Sequence, residues 1–141
     1  MNKLRRLAIS ILEDTEEHIQ LCEGEDKTKK ILCVDDVLSC IMPLKALLSK
    51  KGYDVDLVES VQEAIVKCTD SIDYIVITTD YNMPQGNGDM LFSYLDASRF
   101  KGIKILISGD ISCQQIADKY DAYFLEKPIN LQYLYNILDG D

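Results

Sequence analysis

The chain has 141 residues, 47% hydrophobic and 28% charged, the size and balance of one soluble globular domain with a single core. Its 24 acidic against 15 basic side chains leave a net charge of -9, which argues against duplex DNA, whose binders cluster Lys and Arg to displace counterions from phosphate. Five cysteines at 22, 33, 40, 68 and 113, odd in number, with no CxxC pair and several in apolar runs, suit reduced thiols and a cytoplasmic location.

Residues 1–28 stand apart as an N-terminal extension. Leu4, Ala8, Ile11, Leu12, Thr15, Ile19 and Cys22 recur at helical spacing, an apolar stripe about five turns long. Lys3, Arg5 and Arg6 precede Glu13, Asp14, Glu16 and Glu17, an order that opposes the helix dipole. Laid antiparallel on a copy of itself, each basic start would meet an acidic end, so homodimerisation through residues 1–28 is expected; packing on the rest of its own chain is the competing reading. The excess of acids argues against anionic lipid. The apolar stretch is too short for a secretory signal, and no later run is long enough to span a membrane. His18, the one histidine, lies among these acids and reads as a surface residue.

From residue 29 onward strands and helices alternate. "KILCVDD" (30–36) is a fully apolar strand running into two acids, "VLSCIMPLKALLSKKG" (37–52) has helical spacing with Pro43 inside it and a Gly stop, and "YDVDLVES" (53–60) is strand-like. Pro43 should kink its helix. Ser60 and Glu63 form a capping box ahead of "VQEAIVKCT". The strand "YIVITTD" (74–80), a Gly-rich loop, the helix "DMLFSYLDAS" (89–98), the strand "KILIS" (104–108), the helix "CQQIADKY" (113–120), the strand "AYFLEK" (122–127) and the helix "NLQYLYNILDG" (130–140) complete the run. Strands apolar on both faces imply a parallel sheet covered by helices on both sides, an α/β doubly wound fold of five βα units.

In such a sheet the carboxyl ends of the strands form one rim, where ligands bind. Here the rim carries Asp35 and Asp36 from the first strand, Asp80 from the third, Ser108 from the fourth, and Lys127 with Pro128 from the fifth. Two carboxylates at about 4 Å repel by roughly 4 kcal/mol at an effective dielectric of about 20. A hard cation such as Mg²⁺, bound by clustered oxygen ligands, would cancel that repulsion. A cation, a lysine and a hydroxyl together suit a phosphoryl group in transfer, with Asp80 as nucleophile. Single acids at strand ends often serve only to solvate a loop; the convergence of five such groups is what points to chemistry.

Four motifs, "VDD" (34–36), "DYNMPQGNG" (80–88), "ISGD" (107–110) and "EKP" (126–128), occur in the order and spacing of the receiver domain of bacterial two-component response regulators, which residues 29–141 resemble. The resemblance implies a flavodoxin-like strand order 2-1-3-4-5 and a phosphoryl group taken onto Asp80 from the phosphohistidine of a sensor histidine kinase or phosphotransfer protein. It implies Mg²⁺ (or Mn²⁺) held directly by Asp36, through a water by Asp35, and by Asp80 and the backbone carbonyl of Asn82. Ser108 and Lys127 would contact the phosphoryl group, a cis peptide would join Lys127 to Pro128, and Phe124 would be the aromatic that moves with Ser108. Asp110 and Asn82 would position the water that ends the phosphoryl state. Met83 and Pro84 would shape the loop, and Gly88 would supply a backbone conformation hindered by a side chain. Tyr81 and Tyr123 read as packing groups.

The resemblance further implies no catalysis beyond the chain's own phosphorylation and dephosphorylation. Output would pass through contact with a downstream protein, with no direct DNA binding and no membrane insertion. The alternative is an interaction or dimerisation module of the same fold that is never phosphorylated. An aspartyl-phosphate phosphatase of the haloacid dehalogenase type is a weaker rival, because it needs a DxD motif on the first strand.

Overall fold

The computed structural model describes residues 29–70 and 73–140. The N-terminal extension, with its stripe and His18, lies outside the described residues. Five parallel strands, β1 (Lys30–Val34), β2 (Asp54–Val58), β3 (Tyr74–Asp80), β6 (Ile103–Ser108) and β7 (Tyr123–Glu126), form one sheet in the order β2-β1-β3-β6-β7. Counted along the main sheet this is 2-1-3-4-5, as the resemblance implied. The crossovers are α1 (Leu38–Lys50), α2 (Val61–Asp70), α3 (Gly88–Ala97) and α4 (Gln114–Lys119), with α5 (Leu131–Leu138) closing the chain.

Alternation along the strands builds two cores. Ile31 and Cys33 of β1 face Ile41, Leu44 and Leu48 of α1 and Leu134 and Ile137 of α5. Leu32 and Val34 face the other way, into a cluster with Val61 and Ala64 of α2, Leu91, Phe92 and Leu95 of α3, and Ala117 of α4. A strand buried on both sides has to be apolar at every position, which is why "ILCV" shows no polar alternation.

Local chemistry sets the helix ends. The Glu63 N–H donates to Ser60 Oγ at 3.1 Å, while Glu63 Oε2 accepts from the Glu59 N–H at 3.0 Å, one residue earlier than an ordinary capping box requires. Asn87 Oδ1 accepts from the Met90 N–H at 3.1 Å and Asn130 Oδ1 from the Tyr133 N–H at 3.0 Å, so α3 and α5 also begin on a side-chain cap. α1 runs on through Pro43 as one helix.

Two segments differ from the sequence expectation. The Gly-rich loop after Asp80 contains an antiparallel hairpin, β4 (Asn82–Met83) and β5 (Gly86–Asn87), pairing Asn82 with Asn87 and Met83 with Gly86. Two-residue strands are too short to carry a period. The helix expected from Cys113 is preceded by a 3₁₀ turn, Ile111–Cys113, because Asp110 Oδ1 accepts from the Ser112 N–H at 2.9 Å and starts the turn early.

Candidate functional site

Each rim residue stands where its strand stops. β1 ends at Val34, the Asp35 N–H donates to Val58 O of β2 at 3.1 Å, and the Asp35 carboxylate folds back to accept from the Val37 N–H at 2.9 Å. Asp80 is the last residue of β3 and pairs with Ile107, and the Tyr81 N–H bonds Ile107 O at 3.2 Å. Ser108 ends β6 opposite Glu126 of β7, and the Lys127 N–H extends that ladder to Ser108 O at 2.9 Å. The Lys127–Pro128 peptide is cis.

Asp35, Asp36 and Asp80 each offer a carboxylate oxygen, all within 4.8 Å of one another. Burial first, and then the negative charges of Asp80 and Asp36, push the Asp35 carboxyl above its ordinary pKa; the Val37 N–H and Lys127 pull the other way. Lys127 Nζ stands 3.3 Å from Asp80 Oδ1, with 40% of its side chain exposed. Three anionic oxygens and one ammonium at a rim open to solvent fit a hard divalent cation together with an anionic oxygen ligand.

Asn82 stands in the hairpin that follows Asp80. The Gly88 N–H donates to Tyr81 O at 3.1 Å, so residues 81 and 88 form a hydrogen-bonded pair of the hairpin. Hydrogen-bonded and non-hydrogen-bonded pairs alternate in an antiparallel ladder. Asn82 and Asn87 therefore occupy a non-hydrogen-bonded pair, and the hairpin ladder leaves the Asn82 carbonyl to other partners.

Ser108 is buried, and its hydroxyl oxygen accepts from the Asp110 N–H at 3.1 Å. Phe124, two positions before the end of β7, is buried in the α2–α4 core. The Asp110 carboxylate Oδ1 accepts from both the N–H (2.9 Å) and the hydroxyl (2.7 Å) of Ser112, contacts that hold its pKa below the ordinary value. Tyr81 packs at the edge of the α2–α4 core and Tyr123 at the edge of the opposite one.

The requirement for glycine at 88 is one of space. Its φ is not positive; a Cβ there would come within 2.8 Å of Leu106 Cδ1 and 3.3 Å of Thr79 Cγ2, because α3 starts directly against β3 and β6. The expectation of a special backbone conformation is corrected on this point. Sequence reasoning also missed Gln62, whose side chain reaches the hairpin from α2. Its position in the first turn of α2 was legible, but its partner depends on a hairpin that the sequence does not announce.

Residues 31–139 match the model of the response regulator receiver domain. Chemotaxis protein CheY1 of Helicobacter pylori is 40% identical over 80 residues, a stretch that spans 55% of this chain and 64% of that relative. Among solved structures, Vibrio cholerae chemotaxis protein CheY4 superposes with a TM-score of 0.71 at 25% identity, over 80% of this chain and 98% of that one. Response regulator TrrA of Thermotoga maritima, solved in complex with Mg²⁺–BeF, gives a TM-score of 0.72 at 24% identity, over 79% and 97%.

Proposed function

The chain belongs to the response regulator receiver domain family, and from that membership we propose that it is a phosphoacceptor whose Asp80 takes a phosphoryl group from a phosphohistidine. The observation that carries this reading is the set of three carboxylates within 4.8 Å with Lys127 Nζ 3.3 Å from Asp80. That set supplies a nucleophile, oxygen ligands for Mg²⁺ and a second positive charge at one point on the rim.

Asp35, Asp36, Asp80 and the Asn82 carbonyl would hold Mg²⁺. When bound, the ion neutralises charge on the transferring phosphoryl oxygens. The chain's own groups do the rest. An Asp80 carboxylate oxygen attacks phosphorus in line as the phosphorus–nitrogen bond to the donor imidazole breaks. Lys127 shifts from Asp80 to a phosphoryl oxygen, which removes the ion pair that now restrains the nucleophile. The Ser108 hydroxyl, which now accepts from the Asp110 N–H, turns to donate to a phosphoryl oxygen, and Phe124, packed in the core behind it, follows that movement. The second oxygen of Asp110, with Asn82, orients the hydrolytic water, so the phosphoryl group is short-lived; a half-life of many hours for the purified phosphoprotein in Mg²⁺ would contradict this role.

Donor and target are a histidine kinase or phosphotransfer protein and a downstream protein that reads the two states. No helix among the described residues is long and apolar enough to cross a membrane. The test of the site is beryllofluoride binding followed by ¹⁹F NMR. Bound resonances are expected in wild type only with Mg²⁺, and are lost in Asp80→Asn. Equal binding without Mg²⁺ or in the variant would overturn the assignment and favour the phosphorylation-independent interaction module.

A further inference from the structure

We infer that Gln62, on α2 and outside the acidic cluster, is a positioning residue for the Mg²⁺ site; the inference rests on the reading of Asn82 as a backbone ligand. The segment carrying Asn82 is a two-pair hairpin whose turn is Pro84–Gln85. A hairpin this short is marginal alone in water and needs outside support.

Support comes from two helices. At the hairpin's end Asn87 is the N-cap of α3, its Oδ1 bonded to the Met90 N–H, which fixes the strand that leads back into the helix. At its tip Gln62 Nε2 donates to Gln85 O at 2.9 Å. Between them Gly86 lies so close to Val61 and Met90 that an added Cβ would touch Val61 Cβ and Met90 Sδ at 3.4 Å, so the strand rests directly on the start of α2. Gln62 is itself held, because α2 opens on the bonds from the Glu63 N–H to Ser60 Oγ and from the Glu59 N–H to Glu63 Oε2 on either side of it.

The hairpin register decides what Asn82 can do. With Tyr81 O taken by Gly88, the alternation frees the Asn82 carbonyl, two residues beyond Asp80. A slip of one position would pull that carbonyl into the ladder. Gln62 holds the turn that sets this register. Both glutamines are exposed, so water competes with the bond and the effect is graded.

The test uses the full chain with Gln62→Met, which keeps side-chain length and helix propensity but cannot donate, and Gln62→Lys, which restores a donor. In metal-free protein, amide exchange over residues 82–87 should rise about threefold to tenfold in Gln62→Met, the equivalent of one net hydrogen bond, and return toward wild type in Gln62→Lys. The thermal midpoint should fall by no more than the few degrees that one exposed hydrogen bond is worth. Mg²⁺ affinity of Gln62→Met should fall about twofold to fivefold on the same reasoning. Unchanged exchange in Gln62→Met would overturn the inference even if wild type binds Mg²⁺. Raised exchange with unchanged Mg²⁺ affinity would overturn the link to the metal, and a wild type that binds no Mg²⁺ would instead refute the site.

Discussion

Asp36 sits within 4.8 Å of two other carboxylates, and at that separation each like pair repels by about 3 kcal/mol at an effective dielectric near 20. Asp36 is only half-buried, so solvent screens most of this and about 1 kcal/mol remains. Asp36→Asn should therefore raise the thermal stability of metal-free protein by about 1 kcal/mol while removing most of the stabilisation that millimolar Mg²⁺ gives wild type. A less stable metal-free variant, or an undiminished Mg²⁺ effect, would mean that the cluster is not strained by its own charge. At this scale the sequence was readable wherever a residue ended a long strand. Asp35, Asp36, Asp80, Ser108 and Lys127 could be placed because each strand's apolar run pointed to its end. Gln62 could not, and the reason for Gly88 was misread, since a conformational need and a steric one look alike until Leu106 and Thr79 are seen around it.

The helices end by one device with unequal residues. After α1, the Gly52 N–H bonds Ser49 O at 3.0 Å and the Tyr53 N–H bonds Leu48 O at 3.2 Å, with Gly52 at φ 97°. After α3, the Arg99 N–H bonds Asp96 O at 3.1 Å and the Phe100 N–H bonds Leu95 O at 2.9 Å, the same pattern with an arginine at φ 60°. A left-handed conformation strains a side-chain-bearing residue by about 1–2 kcal/mol, part of which a glycine gives back through its greater freedom in the unfolded chain. Arg99→Gly should accordingly stabilise the protein by about 0.5–1 kcal/mol in urea unfolding; a lower midpoint would show that the arginine side chain contributes more than its backbone costs. Element types from β1 to α5 were legible because their apolar runs are long or periodic. The hairpin and the 3₁₀ turn were not, being built from two or three residues held by side-chain caps.

Across the described residues, the sheet order, the two cores and the rim of strand ends follow from apolar strands that alternate with helices. The same burial makes the fold sensitive to base. Burial raises the Cys33 thiol from an ordinary pKa of 9.0 to about 11, and burial together with the Asp56 carboxylate, which accepts from the Tyr74 hydroxyl at 2.5 Å, pushes the Tyr74 phenol well above its ordinary value. Both groups hold their proton more tightly when folded. The Cys33 contribution, about 3 kcal/mol, is therefore complete below pH 9 and is lost as pH rises through about 11, while that of Tyr74 is complete below its ordinary value of 10.0 and is lost at still higher pH. Cys33→Ala should be less stable at neutral pH because of the cavity it leaves, yet should lose less stability than wild type between pH 9 and 11. Equal slopes in urea unfolding would place the alkaline sensitivity elsewhere.

Phosphoryl acceptance by Asp80 at this rim is tested most directly by intact mass after incubation with acetyl phosphate. Wild type in Mg²⁺ should gain a single increment of about 80 Da, the mass of one transferred phosphoryl group, with no gain after chelation and none in Asp80→Asn. A gain that persists in Asp80→Asn, or that needs no Mg²⁺, would contradict the account.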